Sequence, residues 1–344
     1  MEGMSTFPVG TPRNREPAMT DVAALAGVSH QTVSRVLNDH PNVRERTRVR
    51  VLAAIAELGY RPNRAAKALV TGRSQTIGVV AQNSTLFGPA SLLNAFGLAA
   101  VEAGFAVSVA SVRQLDHDSF RDAVERHLDQ RVAGIVVIAP VETASEAIRT
   151  VMDVVPLVMI DGDPALPRPL VTVDHAEGAR LATQHLLDCG HTTVWHVSGP
   201  AEWFDSRGRV DGWRRTLEAA DAEVPPLVPA DWSAESGYQA GLVLSRMPEV
   251  TAIFAANDHL ALGILRAMYE RDRRVPDDVS IIGFDDVPES AYLIPPLTTI
   301  RPDFDAVART SLRLVLDHLN DSPTQQQTTI PPVLVRRKSV RALA

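Results

Sequence analysis

The spacing of apolar residues changes part-way along the chain, and the change divides it into two regions. Over residues 19–58 apolar positions recur three and four apart, the period of short amphipathic helices. From residue 75 onward, continuous Val/Ile runs alternate with amphipathic stretches. Such runs are parallel strands covered on both faces by helices.

In the first region, the stretch MTDVAALAGVSHQTVSRVLN predicts two helices joined by a tight turn. Thr20 is the candidate N-cap, with Asp21 in the first turn where its charge suits the helix dipole. Val22, Leu25 and Ala26 make one apolar face, and Gly27 supplies the left-handed stop. Ser29 is expected to cap the second helix, whose Val33, Val36 and Leu37 pack back on the first. His30, Gln31, Ser34 and Arg35 then point outward. Gln31 suits paired hydrogen bonds to a base edge, and Arg35 suits guanine. A solvated helical hairpin is the plainer alternative. A third helix is predicted over about 46–58, with Val49, Leu52, Ala53 and Ala56 as its inner stripe and Gly59 as its stop. Arg44, Arg46, Arg48 and Arg50 crowd its start, against the dipole, which suits phosphate neighbours. Next, RPNRAAKALVTGRS is too short to hold a helix alone, so it is expected to form one only when docked. Asn63 is its candidate cap, and Leu69 is an exposed apolar residue of the kind that wedges into a minor-groove step.

In the second region the strand candidates are TIGVVA, FAVSVA, GIVVIA, PLVMID, VTVD, TVWHVSG, AIFAAND and VSIIGFDD, with helices between them. Two doubly wound lobes follow, each with a crevice at the carboxyl ends of its strands. Asp161, Asn257, Asp258, Asp285 and Asp286 each follow an apolar run and fall at that edge. The expected division is an arm over 1–18, a helical head over 19–62, a hinge and linker over 63–74, and the two-lobed body over 75–344. The first lobe is expected to hold about 75–173 and 304–320, the second about 174–303 and 321–344.

Charge sharpens this picture. The 344-residue chain carries a formal charge of −7, yet up to Arg73 it has eleven Lys and Arg against six Asp and Glu, leaving 23 against 35 for the remainder. A basic head on an acidic body fits a polyanion-binding module carried by a body that stays off the polyanion. Cys189 is the single cysteine, so no intramolecular disulfide forms, and it reads as a small buried filler. No apolar run approaches the ~20 residues that span a bilayer, and the first residues lack the apolar core of a signal peptide. A cytoplasmic protein with no membrane partner, no metal and no cofactor is expected.

The runs DVAALAGVSHQTVSRVLN, YRPNRAAKAL, DWSAESGYQ, AANDHLALG, SIIGFDD and IPPLTTIRPDF together resemble the lac repressor family of bacterial transcription regulators, over about residues 19–338. The resemblance implies an α/β fold of two doubly wound, periplasmic-binding-protein-like lobes behind a helix-turn-helix head and hinge helix. It implies a homodimer that reads a near-palindromic operator. His30, Gln31 and Arg35 would be the base-reading residues, and Thr20, Ser29, Thr32, Ser34 and Asn38 the phosphate contacts. The hinge residues Asn63, Arg64, Ala66 and Leu69 would open the minor groove between half-sites. In the crevice it implies an effector held by Gln82, Leu86, Pro89, Leu92, Asp161, Asp205, Arg209, Trp232, Asn257, Asp285 and Phe304. Planar Asp, Asn and Arg groups bond adjacent hydroxyls of a sugar, while Trp or Phe covers its apolar face.

His30, Gln82, Asp205 and Pro302 depart from the founding member of the family, which has Tyr, Ser, Ser and Gln there. A galactoside-like effector with altered fine contacts is expected, acting as an inducer that releases a dimer, and not a tetramer, from DNA. Another sugar or a corepressor is the alternative. The strand-end pair Asp161 and Asp285 keeps a carbohydrate-active enzyme as a remote reading, and a periplasmic sugar-binding protein is a second one.

Overall fold

The computed structural model describes residues 17–37, 40–60, 74–82, 85–113, 116–150, 155–320 and 327–343. The expected arm up to residue 16 and the predicted contact residues Asn38, Asn63, Arg64, Ala66 and Leu69 lie outside them. The chain divides into two compact units, residues 1–73 and 74–344.

The first unit is a bundle of α1 (Met19–Ala26), α2 (His30–Leu37) and α3 (Glu45–Leu58). Val22, Val33 and Val51 are fully buried at its centre, joined by Ala23, Ala26, Val36, Ala54 and Tyr60. Each buried valine contributes ~1.5–3 kcal/mol, a large share of the stability of so small a core. Gly27 and Gly59 end α1 and α3 in the left-handed region, with φ of 60° and 61°.

Three local expectations are corrected. Thr20 does not cap α1: the N-cap lies two residues earlier, at Ala18, whose N–H donates to Asp21 Oδ2 at 2.7 Å. Leu25 is exposed, and Ala23 takes its place in the core. The inner stripe of α3 is Val51 and Ala54 with Ile55 and Leu58, while Val49 and Leu52 are exposed. Both sets obey the helical period, and only packing against α1 and α2 chooses between them.

The second unit contains two six-stranded sheets. In the first lobe β1 (Thr76–Gln82), β2 (Ala106–Val112), β3 (Gly134–Ile138), β4 (Leu157–Ile160), β5 (Leu170–Val173) and β11 (Gln327–Ile330) run parallel in the order 2-1-3-4-5-11. Helices α4 (Phe87–Glu102), α5 (His117–Asp129), α6 (Thr143–Thr150) and α11 (Phe304–Leu319) accompany them. The second lobe holds β6 (Trp195–Ser198), β7 (Val228–Pro229), β8 (Ala252–Ala255), β9 (Ser280–Phe284), β10 (Thr298–Arg301) and β12 (Val333–Val335), in the order 7-6-8-9-10-12. All its pairs are parallel except the edge strand β12, which runs antiparallel to β10. Helices α7 (His175–Asp188), α8 (Phe204–Ala219), α9 (Ala234–Leu244) and α10 (Asp258–Glu270) complete the second lobe. Strands β3, β4, β8 and β9 are buried at every position, as their unbroken apolar runs require.

Residues 327–330 correct the expected lobe boundary. Instead of joining the second lobe with the rest of 321–344, they pair with β5 in the first sheet. The chain therefore passes between lobes after β5, after β10 and after β11. The first and last passages are tied by the Asp174 N–H, which donates to the Ile330 carbonyl at 2.9 Å.

Candidate functional site

In the head, α2 carries the predicted reading residues. Val33 and Val36 face the core, which leaves His30, Gln31 and Arg35 exposed along the opposite side. Ser29 caps the helix as expected, accepting from the Thr32 N–H at 3.2 Å, and the two hydroxyls lie 2.9 Å apart. Thr20 is exposed in the first turn of α1. At the start of α3, Arg44 and Arg46 are exposed, while Arg48 reaches back to the His40 carbonyl. The bundle thus presents donors and cations from α2 and α3.

In the body, the strand ends of both lobes meet across a narrow cleft. Its walls come from loops that each follow a buried strand or open a helix. The first lobe supplies Pro89 and Leu92 of α4, Ile138, Pro140 and Asp161. The second lobe adds His175, Asp205, Arg209, Asp285 and Pro302, and Phe304 opens α11. Seven of the expected effector residues therefore line one cavity: Pro89, Leu92, Asp161, Asp205, Arg209, Asp285 and Phe304.

Arg209 is the centre of the polar set. It is buried, with its guanidinium carbon 3.8 Å from the centre of the Phe284 ring and 5.3 Å from that of Trp232. Nη1 donates to the Ala256 carbonyl, and Nε has no partner. Nη2 faces Asp205 at 3.5 Å, Asp285 at 3.9 Å and His175 Nδ1 at 3.4 Å. One guanidinium edge is thus shared among three loosely placed groups, an arrangement a ligand can tighten.

The two strand-end aspartates differ. Asp161 accepts from the Thr172 hydroxyl at 2.7 Å and the Val173 N–H at 3.2 Å, and His175 Nε2 stands 3.6 Å away. Burial works against its ionisation, but His175 and these donors outweigh burial and hold the carboxyl below its ordinary range. All three contacts fall on Oδ1, which leaves Oδ2 to the cleft. Burial instead pushes Asp285 up to about 8, because Arg209 at 3.9 Å only partly offsets it and Asp258 and Asp205 add repulsion. One aspartate is an acceptor and the other a proton carrier at neutral pH.

The loop after β9 is held from behind. Asp258 accepts from the Val287 N–H, the Ser290 hydroxyl and the Thr299 hydroxyl, while Asp286 takes Arg301 and Arg337. Asp161, Trp232, Asp285 and Asp286 all have positive φ, at 50°, 75°, 104° and 50°. Strained backbone at non-glycine residues collects where a site must hold side chains in place.

Other expected residues play different parts. Asn257 does not line the cleft: Oδ1 caps α10 through the Leu260 N–H, and Nδ2 donates to the Trp232 carbonyl. Trp232 lies behind Arg209, fitted over Gly199, where any β-carbon would overlap its ring. Its indole N–H is buried without a partner. Gln82 donates to the Arg113 carbonyl at 3.4 Å, and Leu86 packs against the core of the second lobe. Sequence reasoning missed His175, though it follows a strand end as Asp161 does. It also missed Trp203, which stacks edge-on against Trp232 with ring centres 5.7 Å apart.

The lips of the cleft touch. Val141 and Trp203 form an antiparallel bridge, with Glu142 N–H donating to the Glu202 carbonyl and Phe204 N–H to the Pro140 carbonyl. Arg207 and Glu142 pair beside it at 3.2 Å.

Known proteins share this plan. The profile of bacterial regulatory proteins of the lacI family matches residues 18–63, and that of a periplasmic binding protein-like domain matches residues 183–340. The lactose operon repressor of Escherichia coli K12 is 35% identical over 324 residues, covering 94% of this chain and 90% of the relative. The chain belongs to the lacI family of bacterial regulatory proteins. As a lacI-family member it is a transcriptional repressor with a ligand-binding body, and not an enzyme. The regulator CelR of Thermobifida fusca is 33% identical, covering 91% of this chain and 95% of that one. A solved lac repressor dimer bound to operator and the anti-inducer ONPF superposes with a TM-score of 0.86 at 34% identity, covering 95% of this chain and all of the other. Among the described residues no helix is long and apolar enough to cross a membrane.

Proposed function

We propose that this family member binds a palindromic operator as a homodimer and lets go when a sugar, galactoside-like in its hydroxyl pattern, occupies the cleft. The observation that carries the reading is the cleft itself. It sets the polar groups of Asp161, Arg209 and Asp285 opposite the apolar wall of Leu92, Pro89 and Phe304. Hydroxyls, each both donor and acceptor, match the first set, and C–H faces match the second. Relatives support the class: lac repressor structures hold ONPG and ONPF, and a CelR structure holds cellobiose. Relatives named PurR, at 32% identity, show that the family includes regulators named otherwise.

In the head, His30, Gln31 and Arg35 read base edges, while Thr20, Ser29, Thr32 and Ser34 position the helix on phosphates. Asn38, Asn63, Arg64, Ala66 and Leu69 are proposed contacts from family membership alone. The effector acts through its unequal affinity for the open and closed lobes, so operator and effector must weaken each other by the same factor. A salt-controlled operator titration, using DNA from upstream of its own gene with a panel of galactosides, tests this. Release by one sugar supports the reading. Tight binding that no sugar relieves refutes the effector class, and binding only in the presence of a ligand reverses the sign to corepression.

A further inference from the structure

The lining of the cleft holds more carboxyls than groups able to carry positive charge, and this bears on which sugars enter. Its lining holds two groups able to carry positive charge, Arg209 and His175, and three carboxyls, Asp161, Asp205 and Asp285. Asp205 stands one turn before Arg209 on α8 and takes its Nη2 at 3.5 Å, and Asp161 takes His175 at 3.6 Å. Arg301, next to Pro302 in the lining, is tied to Asp286 outside the cleft. Arg209 and His175 each therefore have a carboxylate beside them, and the third carboxyl, Asp285, keeps its proton at neutral pH. Arg209 is buried and Asp205 partly so, with side chains 5% and 15% exposed, so water screens the pair poorly. A ligand bringing a phosphate or carboxylate would meet the carboxylates of Asp161 and Asp205 and no cation without a carboxylate already beside it. Like charges so placed cost several kcal/mol.

From this geometry we infer that the cleft selects an uncharged or amino-bearing saccharide against its phosphorylated or acidic counterpart, and that Asp205 is the residue that sets this discrimination. Asp205 acts in two ways. It holds the one guanidinium edge that an anion would need, and it offers Oδ2 as an acceptor to hydroxyl or ammonium donors. The inference rests on the saccharide reading above and narrows it to a charge class.

The test compares one sugar in four forms: neutral, 2-amino, 6-phosphate and uronate, for both galactose and glucose. Binding to the full-length protein is measured by calorimetry, alongside the same titrations on D205N and D205E. The wild type should bind the neutral and amino forms and discriminate against the anionic ones by at least about a hundredfold. D205N should narrow that ratio by roughly tenfold or more, and D205E, which restores the charge, should recover it. Unchanged melting temperatures and operator binding of the variants exclude misfolding. Equal binding of neutral and anionic forms by the wild type overturns the inference while leaving the saccharide reading intact. A ratio that D205N does not move removes Asp205 from the role. Failure of every form to bind overturns the inference and the saccharide reading together.

Discussion

Replacing Asp285 by Asn tests whether this carboxyl is a protonated buried group or half of an ion pair with Arg209, because the two readings give opposite signs. Burial raises the carboxyl to about 8, against 3.8 for the free side chain. A folded-state pKa above the unfolded one means that the folded protein keeps a proton the unfolded chain gives up. The stability it supports is whole below pH 4 and is lost as pH rises to about 8. Each unit corresponds to about 1.4 kcal/mol, so the four-unit span sets an upper bound of about 6 kcal/mol. Relaxation of the loop and entry of water reduce this to a few kcal/mol. Asn has the same shape, tolerates the positive φ and never ionises.

The alternative is an ionised pair. At 3.9 Å and an effective dielectric of 20, the attraction to Arg209 is worth ~4 kcal/mol, and removing one member would cost ~3–5 kcal/mol. Calorimetric melting of wild type and D285N at pH 5, 6.5 and 8 separates them. For a body of this size, 1 kcal/mol moves the midpoint by ~2–4 °C. The expected result is a variant more stable than wild type at pH 8 by about 5–10 °C, with the gap closing towards pH 5. A variant less stable at pH 8 than wild type would refute the argument. His191 and His196 titrate in both proteins and cancel in the difference.

Four further outcomes are expected. R35A should cost ~1–3 kcal/mol on the specific operator, with a smaller loss on random DNA, measured by fluorescence anisotropy at fixed salt. R209K should weaken effector binding by more than about tenfold, since an ammonium cannot reach the Ala256 carbonyl and also stack between Phe284 and Trp232. G263A should destabilise the body by ~1–3 kcal/mol or more in urea melts, because its methyl would overlap the Ala234 carbonyl where α9 crosses α10. Burial lowers His191 and His196 to about 4, so the stability they support is present above pH 6.5 and is lost as pH falls to about 4. H196F should flatten that acid limb of the midpoint-against-pH curve.

What the sequence made legible was periodic, and what it hid was settled by packing. Strands β3, β4, β8 and β9 are unbroken apolar runs, so their burial on two faces followed from composition. Helix α3 was placed correctly and faced wrongly. Val49 and Leu52 keep the same three-and-four spacing as Val51 and Ala54, and nothing local distinguishes the two stripes. Strand β11, QTTI, has one strongly apolar residue and sits at a sheet edge, so no hydrophobic run announced it. In the cleft, charged residues after apolar strands were visible, but their division of labour was not. Asn257 and Asp285 look alike as strand-end polar residues. A cap is one reading for Asn257, and the fold decides it: Asn257 caps a helix while Asp285 faces Arg209.

That division of labour bears on the strained residues at the strand ends beside the cleft. A strand feeding a helix usually turns through an unstrained cap, as Asp116 does before α5, where it accepts from the Ser119 N–H. Asp161, Asp285 and Asp286 instead leave their strands with positive φ. Each such residue costs about 1–3 kcal/mol, which the surroundings must offset. The offset is visible at two of them. Asp161 is fixed by Thr172 and Val173 across the sheet, and Asp286 by Arg301 and Arg337. Asp285 has no such donors on its carboxyl, and Arg209 stays beyond hydrogen-bond reach at 3.9 Å. It is held in place by its neighbours' bonds and left with its own unmade. A hydroxyl at that position would supply the missing bond while touching the second lobe through Asp285 and the first through Asp161. On the proposed reading, a ligand so placed would gain affinity only with the two lobes in contact, and that difference between states would couple the cleft to DNA.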